Sequence, residues 1–469
     1  MRVLIALAVA LAAAWPCRAG EALTIEVDVG QKRQTVAGFG GTVGWIYPAR
    51  GKLEEVADLL FTDLGASILR LAALSRNGDA SDELSPEPRN DNGDASRIDW
   101  KGFEFEPCER EQALLARAAV RRGVRTVVAA SWSPPGWMKS SGSRKWGGEL
   151  RAGMEDELGE LWSAYLLWMK REGGVAVSAL SVQNEPEVPR PYPTGEFSPE
   201  GLDRAARALL RRARGEKLEP RLLYPEVSQL GRLERYLQAA SRETLEATGA
   251  VSVHAYDLSV DYFEVERYRP VWRRAREAVA RTGKPLWMTE FSNYSGAFSG
   301  RRAGSWEEAL AWARHVHLAL VEGECAAVLF WGLYFDKKGE ALVYAEKSGA
   351  ERYEVTPKFH TSKNYFRFIR PGAVRVACSP SEGALECSAF WHAERRELAV
   401  VAINPGGAER QAALSVKGLA APGRVELHRS SAGEKCLKLD PERERCGDAA
   451  LRFPGESVTT LVFGYGEGK

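Results

Sequence analysis

Charge of either sign is not in surplus: 64 Lys and Arg stand against 63 Asp and Glu in 469 residues. Phosphate binding needs a basic excess or patch, so nucleic acid is excluded as the main partner. No apolar run is long enough to span a bilayer. The run at the N-terminus, Val3–Ala14, has twelve residues where about 20 are needed. CxxC and HExxH are absent, and His315 and His317, two apart, point to different faces of a helix, so they are a poor metal pair and read as helix packing. There is no internal repeat and no low-complexity linker. With 45% hydrophobic and 27% charged residues, disorder and collagen-like structure are also excluded.

What is present begins with an address. Arg2, the apolar run and Cys17-Arg18-Ala19 form the three parts of a secretory signal over residues 1–19, so export to periplasm or medium is expected, with no membrane attachment afterwards. Six of seven cysteines then remain. Cys378 with Cys387 and Cys436 with Cys446 are close enough in sequence to staple hairpins in an oxidising compartment, although connectivity stays open; Cys108 and Cys325 read as buried thiols or a third bridge.

From residue 36 to 369, short β-branched runs alternate with amphipathic stretches, the pattern of a parallel α/β protein. Strands are expected at Val36–Val43, Ser67–Ala73, Arg125–Trp132, Val177–Asn184, Arg221–Glu226, Val251–Tyr256, Pro285–Phe291 and Ala326–Tyr334. Helices are expected at Glu109–Arg122, Glu155–Glu172, Pro199–Arg214, Pro270–Arg281 and Trp306–Glu322. Eight such units fit a (β/α)8 TIM barrel. Residues 370–469 change texture to short alternating strands between Gly, Pro and Ser clusters, an antiparallel β-sandwich side domain that residues 20–35 complete from the other chain end.

Two acids stand out by position. Glu185 follows the fourth strand and Glu290 ends the seventh, 105 residues apart, which is three βα units of roughly 35 residues. Side chains at the C-terminal strand ends of a barrel face its mouth, so both carboxylates meet over one opening. Two carboxylates about 5 Å apart are the parts of retaining glycoside hydrolysis. Arg70, in the second strand, is the cation that keeps one of them ionised. Asn184 is placed to donate to a sugar hydroxyl and Tyr256 to the nucleophile, while Trp132, Trp137 and Trp331 offer indole faces to sugar rings. Trp162, Trp168, Trp272 and Trp312 fall within helices and are assigned to packing. The glycines of Gly38–Gly44 do not match a dinucleotide fingerprint and are expected to let the first strand approach bound sugar. Asn293-Tyr294-Ser295 matches a glycosylation sequon, but so close to Glu290 it reads as chance.

Gly38-Phe39-Gly40-Gly41, Trp132–Lys139, Gln183–Pro186, Trp287–Glu290 and Phe368–Ala373, taken in order across nearly all of the chain, resemble glycoside hydrolase family 30. The resemblance implies a catalytic barrel with a β-sandwich built from both chain ends, Glu185 as acid/base, Glu290 as nucleophile, and no metal or organic cofactor. Glucuronate-dependent xylanases of that family carry an arginine in the loop after strand eight; here Phe330–Lys338 has none, and only Lys337 or Lys338 offers charge. Tyr344 and Tyr353, in the long segment that follows, are candidates to shape subsites. The expectation is a secreted, monomeric, retaining endo-glycosidase acting on polysaccharide, β-1,4-xylan first and β-1,6-galactan or β-1,6-glucan second. A binding module without catalysis is the alternative from another class, disfavoured because neither carboxylate is missing.

Overall fold

The strand Leu23–Thr35 (β1) does not join the barrel that follows it. The computed structural model describes residues 23–74, 85–105, 108–256, 260–294, 300, 302–446 and 449–466; the expected signal and Ser295 of the sequon lie outside them. The barrel strands are β2 (Gly38–Val43), β3 (Ile68–Ala73), β4 (Thr126–Ser131), β5 (Ala179–Ser181), β6 (Arg221–Val227), β7 (Thr248–His254), β8 (Leu286–Glu290) and β9 (Ala327–Phe335). Each pairs in parallel with the next, and β9 pairs with both β8 and β2, which closes the ring. Strands buried on both faces need continuous apolar sequence, and β2, β3 and β9 are buried at every residue.

The glycines of β2 serve closure of the barrel. A Cβ on Gly40 would lie 1.8 Å from the Ile68 carbonyl oxygen, and one on Gly41 would lie 2.5 Å from that of Phe330. These residues let β2 seat between β3 and β9.

Local signals start the helices. Ser198 accepts from Gly201 N–H with Pro199 opening the helix Pro199–Gly215, and Ser305 accepts from Glu308 N–H ahead of Trp306–Val321. Trp162, Trp272 and Trp312 are fully buried against the barrel, as is Trp168 for the most part. His315 and His317 are buried in packing too; burial lowers both, His315 to about 4 and His317 to about 3.

Past β9 the chain adds β10 (Val343–Tyr344) and β11 (Glu354–Val355), then the helix Pro357–Phe366. The side domain is one ten-strand sheet curled on itself, built of β12 (Val374–Pro380), β13 (Glu386–His392), β14 (Glu397–Asn404), β15 (Arg410–Lys417), β16 (Arg424–Ser430), β17 (Leu437–Leu439), β18 (Arg445–Cys446), β19 (Ala450–Phe453), β20 (Ser457–Gly464) and β1. β1 lies antiparallel to β12 and parallel to β15. The sheet is seated on the barrel through Asn364, whose Nδ2 donates to Thr460 Oγ1 at 3.0 Å while its Oδ1 accepts from Ser430 at 2.6 Å.

The cysteines correct the expected staples. Cys378 and Cys387 stand opposite each other on the β12–β13 hairpin as free thiols, and Cys325 and Cys436 are free and buried. Cys446 Sγ accepts from Arg452 at 3.0 Å. The side chain of Cys108 is outside the described residues. No helix among those residues is long and apolar enough to cross a membrane.

Candidate active site

The C-terminal strand ends converge on a cavity of about 210 Å3. Arg70, fully buried within β3, is its hub. One guanidinium nitrogen donates to Glu290 Oε2 at 2.8 Å and Thr42 Oγ1 at 3.1 Å. The other donates to Glu226 Oε1 at 2.8 Å and Asn184 Oδ1 at 2.6 Å. The guanidinium also lies 4.9 Å from the centre of the Trp132 ring. One residue thereby ties together the ends of β3, β5, β6 and β8.

His254, the last residue of β7, is the second cation. Its Nδ1 is 3.0 Å from Glu185 Oε1 and 3.8 Å from Glu290 Oε1, and its Nε2 is 3.5 Å from Glu226 Oε1. Burial works against charge on the ring, but Glu290, Glu185 and Glu226 outweigh it and raise His254 to about 10. Burial likewise opposes ionisation of Glu226, yet Arg70 and His254 hold it at about 2. Burial raises Glu290 above the usual carboxylate range; His254 and Arg70 oppose that rise, and the Glu185 charge adds to it.

Oxygens of Glu185 and Glu290 and a ring nitrogen of His254 lie within 4.8 Å of one another. No other trio among the described residues is close enough to share an ion. Arg70 donates to one Glu290 oxygen, and the other two members of the trio are 3.0 Å apart. Glu185 is held in the left-handed backbone region at φ 48°, as is Glu226 at φ 64°, and Glu185 N–H donates to the Glu226 carbonyl at 3.1 Å. Such conformations persist only where surroundings enforce them, and they aim the Glu185 carboxyl across the mouth.

Of the residues expected from sequence, Glu185, Glu290, Asn184, Trp132, Tyr256 and Trp331 line the cavity, and Arg70 underlies it. Asn184 gives its oxygen to Arg70, so its amide hydrogens are the groups it turns to the cavity. The Tyr256 hydroxyl pairs with Ser292 Oγ at 3.3 Å rather than with Glu290. Trp137 is not brought to the cavity, because its turn, Gly136–Met138, directs the indole N–H to the Glu87 carbonyl at 3.1 Å. Lys337 lines the cavity, whereas Lys338 turns to Glu354 at 2.7 Å. Tyr344 packs under Lys338 and Tyr353 donates to Glu55, so neither shapes the cavity. Asn293 is buried with Nδ2 on Glu308 Oε1 at 2.8 Å, which leaves it no room for a glycan.

Sequence reading passed over Glu226 and His254, although Glu226 closes the expected strand Arg221–Glu226 and His254 lies two residues before the end of the expected strand Val251–Tyr256, close to where the rule that selected Glu185 and Glu290 applies. Trp45, Arg190, Tyr192, Tyr294 and Glu340 line the cavity from the segments between the barrel strands and the main helices, where no periodicity marks a residue. Glu340 is raised to about 8, by burial first and by Glu290, Asp336 and Glu185 next, against Lys337.

No protein-family model matches the chain. The glucuronoxylanase XynC of Bacillus subtilis (strain 168) is 24% identical over 398 residues, covering 81% of this chain and 78% of that protein. The family 30 subfamily 8 xylanase of Clostridium acetobutylicum superposes with a TM-score of 0.70 at 19% identity, over 94% of this chain and 99% of that one. An endo-β-1,6-glucanase superposes with a TM-score of 0.69 at 16% identity, over 94% of each. The resemblance to glycoside hydrolase family 30 therefore extends to the whole architecture, barrel and side sheet together.

Proposed function

We propose that this chain is a retaining β-glycoside hydrolase in which Glu290 attacks the anomeric carbon and Glu185 serves as acid and then base. One observation carries the reading: two carboxylates, with an oxygen of one within 4.8 Å of an oxygen of the other, beyond the fourth and at the end of the seventh barrel strand, in an aromatic-lined cavity. Inverting enzymes hold their carboxyl groups roughly 6.5–9.5 Å apart to admit a water between them, and retaining ones about 5 Å apart. Neighbouring groups support the roles. The buried array has two cations, Arg70 and His254, and three acids, so it is neutral when it carries one further proton. Arg70 donates to Glu290 Oε2 and so favours the ionised form that a nucleophile needs, while Glu185, which has no bond to Arg70, is read as the proton donor from its place after the fourth barrel strand.

In the first step a Glu290 oxygen bonds the anomeric carbon while Glu185 passes its proton to the departing glycosidic oxygen. The negative charge that appears on Glu185 is met by His254 at 3.0 Å. In the second step Glu185 takes a proton from water as the oxygen of that water displaces Glu290. Asn184, fixed by Arg70, donates to the sugar hydroxyl beside the reacting carbon.

The substrate is β-1,4-xylan, in keeping with the xylanase relatives; a β-1,6-glucan is the second reading, favoured by the glucanase of the same architecture. Glucuronate is not required, since the loop after β9 has lysine rather than arginine. Export by residues 1–19 and action as a monomer complete the proposal, with the side sheet bracing the barrel. The test is hydrolysis of plain xylan, glucuronoxylan, arabinogalactan and β-1,6-glucan, with NMR of the newly formed anomer. Plain xylan cut with β-anomer appearing first is expected. An α-anomer first would refute retention, and products spaced only by glucuronate would refute the substrate assignment.

A further inference from the structure

A cavity of about 210 Å3 holds little more than the ring being cleaved, so a longer chain must run out over its rim. One side of that rim is built by the loops after β4 and β5, which are bonded to each other. Thr194 N–H donates to the Arg144 carbonyl at 2.9 Å, and Glu196 N–H to that of Gly148 at 3.0 Å. At the tip of the first loop stands Trp146. Its N–H donates at 2.8 Å to the carbonyl of Arg190, a residue that lines the cavity beside Glu185.

Trp146 is 66% exposed, the highest value for any large apolar side chain among the described residues. Isolated apolar side chains on a surface are ordinary. Two features separate this one from that background. Its backbone is fixed in the left-handed region at φ 60°, followed by Gly147 at 70° and Gly148 at 94°. Holding it there are Gly147 N–H on Thr194 Oγ1 and Gly148 N–H on Glu196 Oε2, both at 2.9 Å, above the buried Lys139 ammonium, which donates to Ser133 and to the Arg144 and Thr194 carbonyls. The second feature is that the indole has no ring or cation against it among those residues, whereas Trp100, 40% exposed, is covered by Arg171. A large flat side chain, uncovered and mounted on a rigid loop one hydrogen bond from the cavity wall, is preorganised to receive a flat ligand.

We propose that Trp146 is a stacking platform for a pyranose ring of the glycan chain, outside the cavity and beyond the ring held at Glu185 and Glu290. This rests on the glycosidase reading above and deepens it: the site selects chains over single glycosides. The experiment compares kcat/KM on xylohexaose with that on p-nitrophenyl β-xyloside, using the β-1,6-linked glucose hexamer and p-nitrophenyl β-glucoside if the glucan is the polymer cleaved. Trp146→Ala is expected to lower the hexamer-to-monoglycoside ratio about tenfold. Trp146→Phe, which keeps a ring, is expected to recover most of it. An unchanged ratio in Trp146→Ala, in a protein with wild-type thermal unfolding, overturns the platform and leaves the glycosidase reading standing. Absence of hydrolysis of every polymer, hexamer and monoglycoside by the wild-type protein overturns both.

Discussion

Arg70 and His254 set the conditions under which the two central glutamates work, and the consequences are visible one residue at a time. Glu290→Gln removes the attacking oxygen and is expected to lower kcat by roughly 10^3-fold or more. Glu185→Ala removes proton donation, worth roughly 10^2–10^4-fold, and its loss is expected to be smaller on a dinitrophenyl glycoside, whose leaving group needs little protonation. Equal losses on good and poor leaving groups would move the acid role elsewhere. His254 offers an independent check. Raised to about 10 by its three carboxylate neighbours, it stays protonated through neutrality, so its ring NMR signals are expected to be constant between about pH 5 and 8. Glu226→Gln removes one neighbour and shifts the titration downward. A wild-type ring titrating near 6.5 would break the charge account that supports the acid and nucleophile roles. At this scale the sequence was legible where a rule was applied and blind where it was not. The strand-end rule selected Glu185 and Glu290, and the same rule pointed unheeded to Glu226 and close to His254. Trp137 illustrates the opposite error: a tryptophan near a strand end is turned away by a three-residue helix whose direction no spacing encodes.

Between elements, the buried pair Lys358–Glu308 shows how the barrel holds its last helices. Both side chains are fully buried, and Glu308 also accepts from Asn293 Nδ2 and Gly304 N–H, each at 2.8 Å. One carboxylate thus joins the helix Trp306–Val321, the loop after β8 and the helix Pro357–Phe366. Lys358→Met leaves that charge unpaired and is expected to cost about 3–5 kcal/mol in urea unfolding. Glu308→Gln added to Lys358→Met is expected to regain part of it, because an amide keeps hydrogen bonds without the buried charge. A single variant as stable as wild type would mean that Lys358 is not what satisfies Glu308. Helices such as Pro199–Gly215 were legible because period, cap and proline agreed. The helix Pro357–Phe366 was not foreseen: its buried face includes Lys358, Ser362 and Asn364, polar residues satisfied by partners distant in sequence. The hairpin staples failed for a related reason, since spacing brings Cys378 opposite Cys387 but does not dictate oxidation.

Across the whole molecule, buried ionisable groups dictate how stability follows pH. Burial, aided by acidic neighbours, raises Glu87 to about 9 and Glu160 and Glu340 to about 8, against an ordinary value of 4.5. Between pH 4.5 and 8 the folded chain therefore keeps protons that the unfolded chain has released. Stability falls as pH rises through that window, by at most about 1.4 kcal/mol per pH unit for each group. His254 acts in the same direction, its contribution complete below 6.5 and lost as pH climbs through about 10. Glu226 acts in the opposite direction, contributing above 4.5 and losing its contribution as pH drops through about 2. His315, His317 and His360, lowered by burial to about 4, 3 and 4, oppose that fall until the ordinary histidine value of 6.5 is passed, so the unfolding temperature is expected to decline clearly only between about pH 6.5 and pH 8. Glu87→Gln removes one of the retained protons and is expected to flatten the decline. Calorimetry at several pH values checks both, and an unfolding temperature that rises from pH 6.5 to pH 8 would show that these acids are ionised in the folded protein. None of this could be read from composition, where 64 cations against 63 anions suggest indifference to pH; it depends on which acids the barrel buries away from their counter-charges.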